Sequence, residues 1–384
     1  MAVAALAALS RLQLSEALRR QLGVPPGPLT LRRAWPRGDD RMALELVTAG
    51  GVILAGQSFT RADATSDNQR AARVARRSQT TVPTATAVAL PGTGVVLQAG
   101  GADRRLPALA TVVADPAATL VAHRPERRAV VRLDSDAADE VLAAPLEPRS
   151  GEAAGVRYAK LVRPGRSGGL VKTAQAAFTL ACMRTPRVVA HDATRGLVVF
   201  TALAGTSLEV LAARGDAAGT AQQLGLQLRA LHVRPAPASL PLRDAAAEAD
   251  WSMVWVRRLR RYDPSAGAAA ETASVVVREL LAAPPVGMGP VHADLHDRQV
   301  LPGLDNGVGV HDRQVLSGLD NGVGVVDWDT LARGEAALDL ANLLVHLHLQ
   351  LRVLHRPCRR RRQRRRQGRR SSAGTRRRPC CAGA

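Results

Sequence analysis

Cysteine is nearly missing from this chain: four occur in 384 residues, Cys182 alone in the body and Cys358, Cys380 and Cys381 near the end. No ligand-like spacing pairs them, which argues against both a disulfide framework and a zinc site. Long apolar runs are missing too. None reaches the roughly 18–20 residues a membrane helix needs, and Arg11, Glu16, Arg19 and Arg20 interrupt the apolar start. An amphipathic helix in a cytoplasmic protein is the expectation there, with no membrane partner. Lysine is the third scarcity: of 53 basic residues only Lys160 and Lys172 are lysines. Where positive charge alone is needed this chain uses arginine, so each lysine raises the question of what an ammonium does there.

The net charge of +20 would ordinarily point to nucleic acid or another anionic surface. Fourteen arginines and no acid fall in residues 352–384, which leaves only +6 for the rest of the chain. The excess belongs to that tail, whose lack of apolar residues predicts a disordered segment. Aromatics make up 2% of the chain and none interleaves these arginines, so stacking platforms for bases are absent. Nucleic acid is therefore not the expected partner of the chain; only the tail offers it a place.

The length allows two or three domain-sized units. Residues 1–125 alternate short apolar runs with turn signals ("GGVILAGQSF", "TAVALPGTGVVLQAGG", "ATLVAHRP") and predict an α/β or β-rich region of unknown role. From 126 to 203, "AVVRLDSDAADEV" and "GVRYAKLVRPGR" predict an antiparallel pair, "GGLVKTAQAAFTLACM" a helix, and "PRVVAHDA" with "RGLVVFTALAG" two more strands. Residues 204–351 read as helices, among them "EADWSMVWVRRLRRY", "ETASVVVRELLAAP" and "GEAALDLANLLVHLHLQL". The fold class expected is α+β, a β-rich lobe followed by an α-rich lobe. Trp251 and Trp255, one helical turn apart, are expected in the core.

The chemistry concentrates in "VHADLHDRQVL" and, downstream, "GVVDWDTLARG". A protein-kinase catalytic loop places a His, an Asp two residues on, an amide five beyond that Asp, and a separate metal-binding Asp further along. His292, Asp294, Gln299 and Asp327 occupy those positions. Phosphoryl transfer needs a carboxylate to orient the attacking hydroxyl and others to hold Mg²⁺ against the phosphates. Asp294 takes the first role; Asp327, Gln299 through its amide oxygen, and Asp329 take the second. Lys160, on the third strand-like element, is placed to pair with nucleotide phosphates, and Thr201, Ala202 and Leu203 form the hinge that meets the adenine edge. His292 braces the loop through hydrogen bonds, whereas His296, His311, His346 and His348 are expected on loop or helix surfaces.

From about Val130 to Leu351 these motifs resemble the aminoglycoside phosphotransferase and choline kinase superfamily, which has the protein-kinase-like two-lobe fold. The resemblance implies transfer of the γ-phosphate of ATP (or GTP) to a small-molecule hydroxyl, with Mg²⁺, at a site between the lobes. It makes Asp294 the catalytic base, Gln299 and Asp327 metal ligands, Lys160 the phosphate-binding lysine, and Asp339 a structural aspartate that steadies the catalytic loop. Three departures stand out. Gln299 replaces the usual Asn. No acid occurs between Lys160 and Asp192 to pair with the lysine, leaving Gln175 as the nearest stand-in. No convincing glycine-rich loop is present, "PRSGEAAG" being the one candidate.

One phrase is written twice: residues 296–310 and 311–325 differ only at Pro302 and Ser317. The second copy has Gly307 and Gly309 where His292 and Asp294 precede the first, so copy one owns the catalytic loop. Two registers then compete for the metal aspartate. Either Asp312 fills the slot, or the extra residues loop out and Asp327 returns with Trp328 and Asp329; the second is expected, because loop closure costs little. An enzyme impaired by the repeat, whose tail binds an anionic partner, is the alternative function.

Overall fold

The computed structural model describes residues 14–38, 40–60, 63–134, 152–180, 182–283, 285, 287–302 and 322–354. The arginine tail from 355, the first half of "PRSGEAAG" (148–151), Asp312 and the first 13 residues lie outside the described residues.

Helix α1 (Glu16–Leu22) starts where the Ser15 hydroxyl accepts the Leu18 N–H and stops at Gly23, whose left-handed backbone closes it. Strands β1 (Leu29–Pro36), β2 (Arg41–Thr48) and β3 (Ile53–Phe59), helix α2 (Ala64–Arg77), and strands β4 (Thr86–Leu90) and β5 (Val95–Ala99) follow. The strands form an antiparallel sheet in the order β1-β2-β3-β5-β4. Leu44, Leu46, Leu54 and Leu97 are fully buried on it, and α2 lays Ala71, Val74 and Ala75 against Phe59 and Val96. Apolar periodicity alone did not mark α2, because that small-residue stripe is its only apolar face.

Helix α3 (Leu109–Val113) leads into a second sheet made of β6 (Ala118–Arg124), β7 (Arg128–Asp134), β8 (Glu152–Val162), β9 (Val188–Asp192) and β10 (Leu197–Leu203), in the order β6-β7-β8-β10-β9. Helix α4 (Ser167–Leu180) lies between β8 and β9 in the chain. The antiparallel pair expected around Lys160 is β7 with β8, which sets Lys160 opposite Val130, with Val198 of β10 on its other side. The sheet starts at Ala118, so the boundary read at 125/126 falls within the β6–β7 turn. Alternation identifies a strand but not the sheet it joins.

The two sheets are bound by buried charge. Glu126, in the β6–β7 turn, takes ion pairs from Arg41 (3.2 Å) and Arg104 (2.6 Å), while the His123 N–H donates to the Glu45 carboxylate (3.0 Å). Burial alone would raise the Asp103 carboxyl, but the hydrogen bond and charge of His123, 3.0 Å away, together with the N–H groups of Glu126 and Arg105 outweigh it and hold it below its usual range.

The α-rich part contains α5 (Leu208–Arg214), α6 (Ala218–His232), β11 (Leu242–Arg243), α7 (Ala245–Tyr262), α8 (Pro264–Leu281), β12 (Gly289–Val291), β13 (Val300–Leu301), β14 (Gly324–Val325), β15 (Ala332–Gly334) and α9 (Ala336–Leu354). Leu224, Leu228 and Leu231 of α6 pack on Leu295, Val300, Val325, Trp328 and Leu331, so the main core of this lobe lies directly beneath the segment from His292 to Gln299. Trp251 and Trp255 are not core. They meet edge to face at 6.2 Å on the outside of α7, 50% and 36% exposed, with Arg258 stacked on Trp255. Their one-turn spacing reports a shared face and not which way the face points. Among the described residues no helix is long and apolar enough to cross a membrane.

The duplicated phrase is threaded in one register. Val300 of the first copy pairs with Val325 of the second, and Leu301 with Gly324. Gly324 passes so close to β10 that a Cβ there would lie 2.8 Å from a Leu203 methyl, which would have to swing aside for any larger residue. The buried Arg184 spans the stem: its guanidinium donates to Pro302 O (2.6 Å) and Gly322 O (2.8 Å), and its backbone exchanges bonds with Val323 and Val325.

Candidate active site

Between the second sheet and the α-rich lobe lies a cleft of about 430 Å³. Lys160, Asp327 and Asp329 line it together with Thr201, Ala202 and Leu203, and Tyr158, Phe200, Leu301 and Trp328 supply apolar wall. Six of the residues singled out in the sequence therefore share one cavity. Lys160 Nζ lies 2.5 Å from Asp327 Oδ1 and 2.7 Å from both oxygens of Asp329. Asp327 thus returns to the lysine despite the extra fifteen residues.

The segment from His292 to Gln299 is braced from below. Asp339, fully buried at the start of α9, accepts the N–H groups of His292 (2.9 Å) and Ala293 (2.8 Å), and His232 Nε2 lies 3.0 Å from the same carboxylate. His292 is buried, with Nε2 3.1 Å from Val326 O and its ring 4.8 Å from that of Trp328; the Thr330 hydroxyl donates to His292 O (2.8 Å). These contacts tie the loop to the Asp327 segment and hold Ala293 at a left-handed φ of 65°. Asp294, next along, is solvent-exposed and near enough to Asp327 to feel its charge.

Residues 172–378, more than half of the chain, match the sequence model of the phosphotransferase enzyme family. The chain belongs to the phosphotransferase enzyme family. No curated protein matches. Similar solved structures include an aminoglycoside phosphotransferase, APH(3'')-Id, from Streptomyces rimosus, with 19% identity, a TM-score of 0.43, and coverage of 62% of this chain and 79% of that one. A choline/ethanolamine kinase family protein from Mesorhizobium loti has 19% identity, a TM-score of 0.36 and coverage of 56% and 70%. The macrolide 2'-phosphotransferase MphH from Brachybacterium faecium has 16% identity, a TM-score of 0.36 and coverage of 59% and 72%.

Several side chains of this family member depart from the sequence reading. Gln175 is exposed and does not reach Lys160; α4 presents Ala174 to the cleft instead, and the two aspartates orient the lysine. Gln299 is buried, and its amide oxygen accepts the His296 N–H (3.0 Å) inside the loop, so it braces the turn that follows Asp294. Thr201 faces the cleft, but its N–H donates to Arg187 O and its hydroxyl accepts the Arg187 N–H, each at 2.9 Å. Both polar backbone and side-chain groups of Thr201 are thus taken up within the sheet, while Ala202 and Leu203 line the cleft. Sequence reasoning missed His232 and Arg128. The first ends α6, and the second reaches Asp329 (3.3 Å) from the start of β7; no local motif announces either.

Charge is unevenly shared around the lysine. For Asp327 burial is overcome by the positive charges of Lys160 and Arg128, and its carboxyl sits well below the usual range. For Asp329 burial, aided by the Asp327 charge, wins and pushes the carboxyl up. Asp294 keeps an open face to solvent, yet the groups packed around it desolvate its carboxyl enough to raise it, with the Asp327 charge acting in the same sense.

Burial, together with the charge of His346 (ring 5.0 Å away), pulls the His296 imidazole from 6.5 down to about 4, against the opposing pull of Asp327. His292 and Arg298 add smaller downward terms. His296 is thus neutral in the folded state at pH values where it is protonated when unfolded. Its contribution to stability is present above pH 6.5 and is lost as pH falls toward 4. Unfolding free energies measured from pH 7.5 to 4 should lose part of their decline in His296→Gln; an unchanged pH profile would remove the histidine from the account.

Proposed function

We propose that this protein is a Mg²⁺-dependent kinase that moves the γ-phosphate of ATP (or GTP) to a hydroxyl of a small molecule, in the manner of the aminoglycoside phosphotransferases. The observation that carries the reading is the Lys160–Asp327–Asp329 cluster in a cleft that Ala202 and Leu203 also line. A cleft lined by both apolar side chains and a lysine–aspartate cluster fits a nucleoside triphosphate.

Lys160 binds phosphate oxygens, drawn from its aspartates by a stronger anionic partner. Asp294 accepts the proton of the acceptor hydroxyl as the oxygen attacks phosphorus, and its raised carboxyl places the acid limb of activity above that of an ordinary carboxylate. Asp339, His292 and Thr330 keep Asp294 and Asp327 in fixed relation. The donor set at Asp327 and Asp329 is two adjacent carboxylates, hard oxygens of the kind Mg²⁺ takes alongside phosphates, so the residues present fit the ion. Those two would hold it, and Gln299 has one lone pair left on its amide oxygen. When bound, Mg²⁺ supplies neutralisation of the polyphosphate charge. Dependence on a nucleoside triphosphate puts the work of the enzyme in the cytoplasm.

Thermal unfolding of the full chain with ATP, GTP or neither, each with and without Mg²⁺, tests the reading. Nucleotide at about 100 times its Kd should stabilise the folded protein by roughly 2.7 kcal/mol, a shift of several degrees. The stabilisation should require Mg²⁺ and vanish in Asp327→Ala. No shift with either nucleotide in a cooperatively folded sample would sink the proposal.

A further inference from the structure

Two cations line the cleft among the described residues: Lys160, and Arg298 of the catalytic-loop segment. Lys160 is held by two aspartates. Arg298 has one partner, Glu209 of α5, at 2.9 Å, in a pair whose side chains are 53% and 33% exposed. An ion pair that open contributes little, and one carboxylate oxygen leaves most of the five guanidinium donors free.

The local backbone fixes the direction of Arg298. Asp297, Arg298 and Gln299 form one 3₁₀ turn, in which successive side chains leave about 120° apart. Asp297 and Gln299 are both buried, at 1% and 4% exposure, so the turn is anchored on either side and the residue between them projects outward into the cleft. The turn begins three residues after Asp294, so Arg298 belongs to the same short segment as the group that would receive the acceptor proton. More positive charge converges here. Arg128 reaches Asp329 from β7, and Arg32 of β1 donates to the carbonyl of Val121, itself a wall residue of the cleft. Burial lowers the Arg33 guanidinium, the buried Glu45 that pairs with Arg32 and Arg33 opposes this, and the charges of Arg32, Arg298 and Arg128 add to the lowering, so positive charge is only partly offset here. Like charges gathered from three elements around one opening are stabilised by an anion that enters it.

Resting on the kinase reading, we propose that Arg298 is a catalytic cation: it leaves Glu209 and binds the oxygens of the transferring phosphoryl group, opposite Lys160. In the step it serves, the bond between the γ-phosphorus and the β,γ-bridging oxygen breaks and both its electrons leave with the nucleoside diphosphate. The acceptor oxygen bonds to that phosphorus, and the acceptor proton passes to Asp294. Negative charge on the equatorial oxygens during this exchange is what a planar guanidinium fork neutralises. Glu209 is a positioning residue that keeps the guanidinium at the rim when the cleft is empty.

Arg298 should therefore distinguish a nucleoside triphosphate from a diphosphate. The test measures Kd for Mg·ADP and for a Mg complex of a non-hydrolysable ATP analogue, by calorimetry on the full-length wild type, Arg298→Ala and Arg298→Lys. The expected result is ADP affinity within twofold of wild type in both variants, with analogue affinity about tenfold weaker in Arg298→Ala and partly restored in Arg298→Lys. Equal losses for the two nucleotides, or none, overturn the assignment of Arg298 while leaving the kinase reading intact. Wild-type protein that binds neither nucleotide overturns both. The side chain is half exposed, so the variants are expected to fold, and unchanged unfolding midpoints without nucleotide check this.

Discussion

Asp294→Asn should abolish most phosphoryl transfer while leaving the protein folded and able to bind nucleotide. The carboxylate is exposed and makes none of the hydrogen bonds that hold the loop; those belong to Asp339, His292 and Thr330. Replacing it by an isosteric amide removes the proton acceptor and nothing structural. General-base contributions of this kind are worth about 10²–10⁴ in rate, so kcat should fall by that range with nucleotide affinity nearly unchanged. The measurement is nucleoside diphosphate release against a panel of hydroxyl acceptors, wild type beside variant. A variant that retains more than about a tenth of wild-type kcat would show that the acceptor loses its proton elsewhere.

Asp339→Ala should cost the fold more than any change at the cleft itself. Its carboxylate is inaccessible to solvent and receives two backbone N–H groups and a histidine. Truncation strands those donors in the interior, and a buried charged acceptor removed from its partners typically costs about 3–5 kcal/mol. Part of that loss is conformational, since the bond to the Ala293 N–H helps hold an unfavourable left-handed alanine. The unfolding midpoint should fall on the order of 10 °C, and activity should disappear with it. A loss below about 1 kcal/mol would mean that Thr330 and the His292–Val326 contact hold the segment without Asp339.

The meeting of Lys160 with its aspartates was legible where the chain writes it compactly. His292, Asp294, Asp327 and Asp329 lie in two short phrases, and the scarcity of lysine singled out Lys160. What escaped was contributed from afar. Arg128 reaches the aspartates from a strand two hundred residues away in sequence, and His232 meets Asp339 from the end of a helix whose apolar stripe looks ordinary. Gln299 was read by residue type as a ligand, but side-chain chemistry does not reveal that its oxygen faces its own loop. The same limit governs β6: its alternation marked a strand, while its place in the second sheet depends on pairing with β7, which only the folded chain displays. Trp251 and Trp255 show the converse, a spacing legible in the sequence whose direction was not.

Arg184 gives the molecule a graft point. By gripping the carbonyls of Pro302 and Gly322 it fixes both ends of the intervening stretch, so the number of residues between them is uncoupled from the distance between Asp294 and Asp327. A gene in which replication slippage adds or removes a unit of this phrase then changes the length of its product without rebuilding its chemistry. The same two carbonyls mark where a reporter or affinity module could be spliced in.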